Sequence, residues 1–163
     1  MLSISELLND NSFLNQNMNV AVEIAKQSIK TDVPIGAVIY DVESQKIIAK
    51  SGNTREQSND PTCHAEISVI REASKHIGDW RLNNMILFST LEPCIMCAGA
   101  LVQCRIGALV YGASDPQYGS AGSIYNPLSD PRLNHNTKII RGVLSDECQE
   151  IIDNFFKERR TKK

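Results

Sequence analysis

The segment Met85-Ile86-Leu87-Phe88-Ser89-Thr90-Leu91-Glu92-Pro93-Cys94-Ile95-Met96-Cys97-Ala98-Gly99-Ala100 decides the fold class. Residues 85–88 form a short, unbroken apolar run that, with Ser89, reads as a strand. Pro93 suits the first turn of a helix, and apolar residues continue to about Val102, so a helix follows the strand directly. Ala108-Leu109-Val110-Tyr111 then returns as another strand. Strand, helix and strand in this close succession build an α/β sheet.

Upstream, Leu14, Met18, Ala21, Val22, Ala25 and Ile29 recur mostly at three- and four-residue steps, which predicts an amphipathic helix over about residues 13–30. Pro34 stops it. Residues 35–40 and 46–50 read as two strands joined by a turn, a hairpin. Residues 51–60 are a polar loop. Thr62 is the expected N-cap of a helix with Ile67, Ile70, Ala73 and Ile77 on one face. Downstream, residues 114–136 hold three prolines and two glycines with little periodicity, a length that marks a functional or a disordered segment. Residues 138–143 give a fifth strand, and Ser145 is the expected cap of a last helix through Ile151, Ile152, Phe155 and Phe156. No repeat or linker divides the chain, so residues 1–163 read as one domain. Its expected class is α/β, a five-stranded mixed sheet covered by helices on both faces.

Composition narrows the function classes. Hydrophobic residues are 42% and charged residues 22%, the profile of a globular chain rather than a disordered one. A formal net charge of -2 excludes a generic polyanion binder. The last seven residues, Lys157-Glu158-Arg159-Arg160-Thr161-Lys162-Lys163, are nevertheless mostly basic and could meet phosphate. No apolar run approaches the roughly 20 residues that span a bilayer. The first residues lack a secretory pattern, so the expected location is the cytoplasm, where thiols stay reduced. Of the five cysteines, Cys63, Cys104 and Cys148 are scattered singly and read as small buried thiols.

Two motifs carry chemistry, Pro61-Thr62-Cys63-His64-Ala65-Glu66 and Glu92-Pro93-Cys94-Ile95-Met96-Cys97, each at the start of an expected helix. Cys94 and Cys97 share a helix face, and the positive helix N-terminus favours thiolate. Two thiolates and the His64 imidazole leave a fourth tetrahedral position open, the arrangement of catalytic zinc. Cys63, Cys104, Cys148, His76 and His135 have no convincing spacing for a fourth ligand, although tertiary contact could supply one. Glu66 follows His64 by two residues, about 200° around a helix, so both are not expected on one metal. A carboxylate there suits proton transfer between water and a leaving nitrogen. The combination H-x-E…P-C-x-x-C is the signature of zinc deaminases of nucleobases, in which the glutamate is not a ligand and zinc-activated hydroxide attacks the ring carbon. A redox dithiol reading of Cys94 and Cys97 leaves His64 and Glu66 unexplained.

Beyond these motifs the chain resembles the bacterial tRNA-specific adenosine deaminases. The resemblance is carried by Val33-Pro34-Ile35-Gly36-Ala37-Val38, Asn59-Asp60-Pro61-Thr62, residues 90–100, Arg105-Ile106-Gly107, Gly119-Ser120-Ala121-Gly122-Ser123, Leu133-Asn134-His135 and Asp146-Glu147-Cys148. It covers about residues 18–160. It implies a cytidine deaminase-like three-layer α/β/α sandwich, a homodimer with one Zn2+ per subunit, and conversion of adenosine to inosine at the wobble position of a tRNA anticodon. It further implies that Asn53 bonds the flipped-out base, that Asp115 lies near the ribose, and that residues 114–136 and the last helix cradle the anticodon stem-loop. On that helix Phe156, Arg159 and Arg160 are the expected RNA contacts, by stacking and by phosphate binding. The chain departs from the family at Cys63, where a small residue is usual, and at Pro116-Gln117-Tyr118, where a lysine often follows the aspartate. Two rivals remain: a deaminase of free bases or nucleosides of guanine or cytosine type, and a non-catalytic zinc-containing RNA-binding partner. The basic tail and polar loop count against the first, and Glu66 against the second.

Overall fold

The computed structural model describes residues 2–161, so Lys162 and Lys163 of the basic tail lie outside the described residues. Five strands form one mixed sheet: β1 (Gly36–Asp41), β2 (Lys46–Gly52), β3 (Met85–Leu91), β4 (Ala108–Ala113) and β5 (Lys138–Arg141), in spatial order β2-β1-β3-β4-β5. β1 pairs antiparallel with β2 and β3, whereas β3 with β4 and β4 with β5 are parallel. The side chains of the central strands are divided between two apolar clusters. Ala37, Ile39, Leu87, Leu109 and Tyr111 enter one; Val38, Ile86, Phe88 and Val110 enter the other. The first is closed by α4 (Ala65–Ile77) and α5 (Ile95–Gln103) through Val69, Ala73, Ala98 and Leu101. The second is closed by α2 (Asn11–Ser28) and α6 (Ser145–Thr161) through Met18, Ala21, Val22 and Ile151. Each large apolar side chain so buried contributes about 1.5–3 kcal/mol, so burial on both faces of the sheet is the main force holding the fold together. This is the three-layer α/β/α sandwich expected above. α2 presses closely on β1: a Cβ at Gly36 would lie 2.0 Å from the Ala21 carbonyl oxygen, so only glycine fits there.

Local chemistry sets several boundaries away from their expected places. α2 begins at Asn11 because the Asp10 carboxylate accepts from the N–H groups of Ser12 and Phe13, a cap that apolar periodicity does not reveal. Three one-turn elements are too short to show a period: α1 (Ile4–Leu7), α3 (Arg55–Ser58) and a 3₁₀ turn (Pro127–Ser129). Thr62 is not the cap of α4. Its hydroxyl and N–H both donate to Asp60 Oδ1, at 2.7 and 2.8 Å, and the N-cap is His64. Likewise Pro93 precedes α5, whose N-cap is Cys94, and Ser145 is the first residue of α6 rather than its cap. β5 ends at Arg141 because Gly142 turns the chain with φ +78.

Sheet register gathers the functional segments at one end. Gly36 at the start of β1 pairs with Gly52 at the end of β2, Leu91 with Ala113, and Tyr111 with Arg141. Asn53, Cys94, Asp115 and Gly142 therefore leave the sheet on the same side. Among the described residues no helix is long and apolar enough to cross a membrane.

Candidate active site

His64 and Cys94 occupy equivalent places, the N-caps of α4 and α5, in extended conformation and without a side-chain capping bond. Cys97 lies one turn into α5 and is buried. His64 Nδ1 is 3.6 Å from Cys94 Sγ and 3.6 Å from Cys97 Sγ, and the three donor atoms all lie within 4.8 Å of one another. A tetrahedral zinc with Zn–S near 2.3 Å and Zn–N near 2.0–2.1 Å requires a sulfur-to-nitrogen edge of about 3.5–3.6 Å. The donor set therefore fits zinc in number, type and spacing, with Nδ1 as the imidazole donor. The sulfurs are poised unequally. A hydrogen bond from Cys97, reinforced by His64, holds the Cys94 thiol down to about 4, whereas the Cys97 thiol is pushed up by the same contact and by burial. His64 is raised, first by its bond to Cys94.

Glu66 is 4% exposed and stands outside the three-donor cluster. Its separation from His64 does not come from helical spacing alone, since His64 precedes the helix rather than belonging to it. Burial raises its carboxyl, against a lowering influence from His64. The Ser89 hydroxyl, on β3 beneath it, lies 3.5 Å from Oε1. None of the other cysteines or histidines joins the cluster. His135 Nε2 meets the Ile106 carbonyl at 2.7 Å, Cys104 donates to the Leu101 carbonyl, and Cys148 packs under Gly112. A fourth position therefore stays free of protein ligands among the described residues.

Asn53 is brought beside His64 because the Thr54 N–H donates to the Cys63 carbonyl, closing the intervening loop. Its side chain is partly committed: Nδ2 donates to the Val33 carbonyl at 3.3 Å and Oδ1 accepts from the Arg55 N–H at 3.2 Å. One N–H of the amide remains for a ligand. Asp115 is half-buried and shapes its own turn, Oδ1 accepting from the N–H groups of Gln117 and Tyr118. On α6 the two phenylalanines part: Phe155 is buried in the core, whereas Phe156 is exposed. Arg159 stacks over Phe155 with Cζ 4.4 Å from the ring centre, and Arg160 is exposed.

Three polar residues at this end do not stand out in the sequence. Asp32, fully buried, accepts from the Glu56 N–H at 2.8 Å and anchors the loop after Asn53. Glu92 and Arg141 hold the segment after β4. A broad open groove bounded by Ile70, Arg71, Lys75, Trp80 and Arg81 runs along the second half of α4 and the turn after it, and carries none of this chemistry.

A model of the MafB19-like deaminase family matches residues 10–160. A tRNA-specific adenosine deaminase of Bacillus subtilis (strain 168) is 45% identical over 147 residues, spanning 90% of each chain. A solved structure from work on A-to-I editing by tRNA:A34 deaminases at the wobble position of transfer RNA is 40% identical with a TM-score of 0.79, covering 83% of this chain and 98% of the other. The guanine deaminase of Bacillus subtilis is 31% identical with a TM-score of 0.59, covering 90% of this chain and 92% of that one.

Proposed function

The chain belongs to the MafB19-like deaminase family, together with the tRNA-specific adenosine deaminases, and from that premise we propose that it hydrolyses adenosine to inosine at the wobble position of a tRNA anticodon. One observation carries the reading: His64, Cys94 and Cys97 converge at zinc spacing with a buried carboxylate beside them. His64, Cys94 and Cys97 would hold the metal. Zinc bound there supplies Lewis acidity that draws the pKa of a water from 15.7 toward about 7. Glu66 would take one proton from the attacking water and pass it to N1 of adenine as the oxygen adds to C6; it would then take the second proton, from the new C6 hydroxyl, and deliver it to the amino group, so that the C6–N bond breaks and ammonia leaves. Burial, which raises its carboxyl, suits it to carry a proton. Asn53 uses its remaining N–H on the base, and Asp115 accepts from the ribose 2′-hydroxyl. Phe156, Arg159 and Arg160 meet the stem-loop along α6. Ile95, Tyr118, Ile124 and Tyr125 leave apolar side chains exposed around the cluster, which supports a homodimer joined near the site. A tRNA substrate makes the cytoplasm the place of action.

Similarity to a guanine deaminase favours one rival, the same hydrolysis on a free base. The deciding assay incubates the purified protein with a tRNA bearing adenosine at the wobble position and, separately, with free adenosine, guanine and cytosine. Inosine in the tRNA with little turnover of the free compounds is the expected outcome. Turnover of a free base alone would keep the metal chemistry and overturn the substrate.

A further inference from the structure

The first half of the segment between β4 and β5 converges on one buried carboxylate. Glu92 is 2% exposed and stands between the end of β3 and Cys94. Its Oε1 accepts from the backbone N–H groups of Ala121 and Ser123, each at 3.0 Å. Its Oε2 accepts from the Asp115 N–H at 3.0 Å and from the Ser123 hydroxyl. Gly119 lies against the same carboxylate: a Cβ there would stand 2.4 Å from Oε2. The Ser120 N–H donates to the Pro93 carbonyl at 2.8 Å, fastening the segment to the residue before Cys94. From the end of β5, Arg141 donates twice to the Ala121 carbonyl, at 2.8 and 3.3 Å. Hydrogen bonds to a charged acceptor are strong and directional, and a buried donor deprived of its partner is costly.

We propose that Glu92 is a positioning residue that holds residues 115–123 as a preformed wall beside the His64, Cys94 and Cys97 cluster. The proposal rests on the RNA-deaminase reading of that cluster. Glu92 does not meet the reacting atoms. It acts through the backbone and through Asp115, whose place at the foot of the wall depends on the bond from its N–H to Oε2. A wall built in advance spares the nucleotide the ordering of a loop on binding. Its loss therefore raises KM more than it lowers kcat.

The central variant is Glu92→Gln. It keeps the size of the side chain but sets an amide donor against a donor that the carboxylate had satisfied. Expected are full metal content, little change in kcat, and a KM for an anticodon stem-loop RNA raised by roughly five- to hundredfold, the weight of one unsatisfied buried group. Amide hydrogen exchange at Asp115, Ala121 and Ser123 should quicken, and Glu92→Asp should recover part of the KM. Gly119→Ala, whose added Cβ would stand 2.4 Å from both the Glu92 carboxylate and the Asp115 carbonyl oxygen, should displace the foot of the wall and raise KM in the same way, and serves if Glu92→Gln does not fold. An unchanged KM in a folded Glu92→Gln or Gly119→Ala protein overturns the proposal. So does loss of metal in Glu92→Gln, which would mean that Glu92 supports Cys94 instead. A wild-type protein inert on every RNA would overturn the substrate reading alone, and exchange at the three amides would still decide whether Glu92 holds the wall.

Discussion

The helix starts that carry His64, Glu66, Cys94 and Cys97 and the segment of residues 114–136 lie at the same end of the sheet, yet they are held by opposite means. At the helix starts, regular elements do the positioning. His64 and Cys94 sit at N-caps where a serine or aspartate would add about 0.5–2 kcal/mol, and neither makes a capping bond, so neither position gains that stability. In residues 114–136 almost no regular structure exists, and polar side chains hold the backbone instead. Glu92 reaches Ala121 and Ser123 from 29 and 31 residues away, and Arg141 reaches Ala121 from 20. On the proposed function, reaction chemistry lives on rigid, locally encoded elements, and substrate contact on a surface assembled from distant polar groups.

The strongest way to break this contrast is Glu66→Gln. If the helix starts carry the chemistry, kcat for inosine formation falls by about 10²- to 10⁴-fold, the usual contribution of a positioned proton carrier. Metal content, read by elemental analysis, should stay at the wild-type value because Glu66 lies outside the three-donor cluster. Loss of metal in this variant would make Glu66 a ligand.

A second comparison sets one cysteine against another. Cys97→Ser should lower bound zinc well below that of the wild type, since it weakens one of three donors. Cys104→Ser should keep its zinc, because Cys104 is buried at the other end of α5, bonded to Leu101 and pushed up to about 12 by burial. Equal retention in both would remove Cys97 from the metal site.

The same contrast explains what the sequence makes legible. Strand runs, helix periods and the two motifs are local patterns, and they locate the sheet, both faces of the sandwich and the three donors. Capping is less legible. Thr62 looks like a cap, but the nearby Asp60 captures its hydroxyl, and Asp10 caps α2 ahead of its apolar period. The roles of Glu92, Asp32 and Arg141 have no local signature, because each partner lies 20 or more residues away. Asp115 is visible only through a resemblance, and its position depends on Glu92 rather than on its neighbours alone.

A smaller effect tests the wall from its other side. Arg141→Ala removes two donors from the Ala121 carbonyl, but Arg141 is exposed and water can replace it. KM for the stem-loop should rise by only a few-fold, roughly one net hydrogen bond. Metal content should not change. A rise as large as that of Glu92→Gln would shift the anchor of the wall from the carboxylate to the guanidinium.

The smallest effect concerns α6, where two adjacent arginines differ in attachment. Both are exposed, but only Arg159 is stacked, on the buried Phe155. If both meet phosphate, each alanine variant weakens RNA binding more at low salt than at high, and lowers the slope of log affinity against log salt by about 0.7–0.9 for each phosphate no longer neutralised. Only Arg159→Ala should also lower the melting temperature slightly, because it uncovers the Phe155 ring. kcat at saturating RNA should be the same in both, since neither side chain reaches the metal cluster. An unchanged salt slope in the double variant would reduce α6 to a wall of the core and leave residues 114–136 as the whole of the RNA-facing surface.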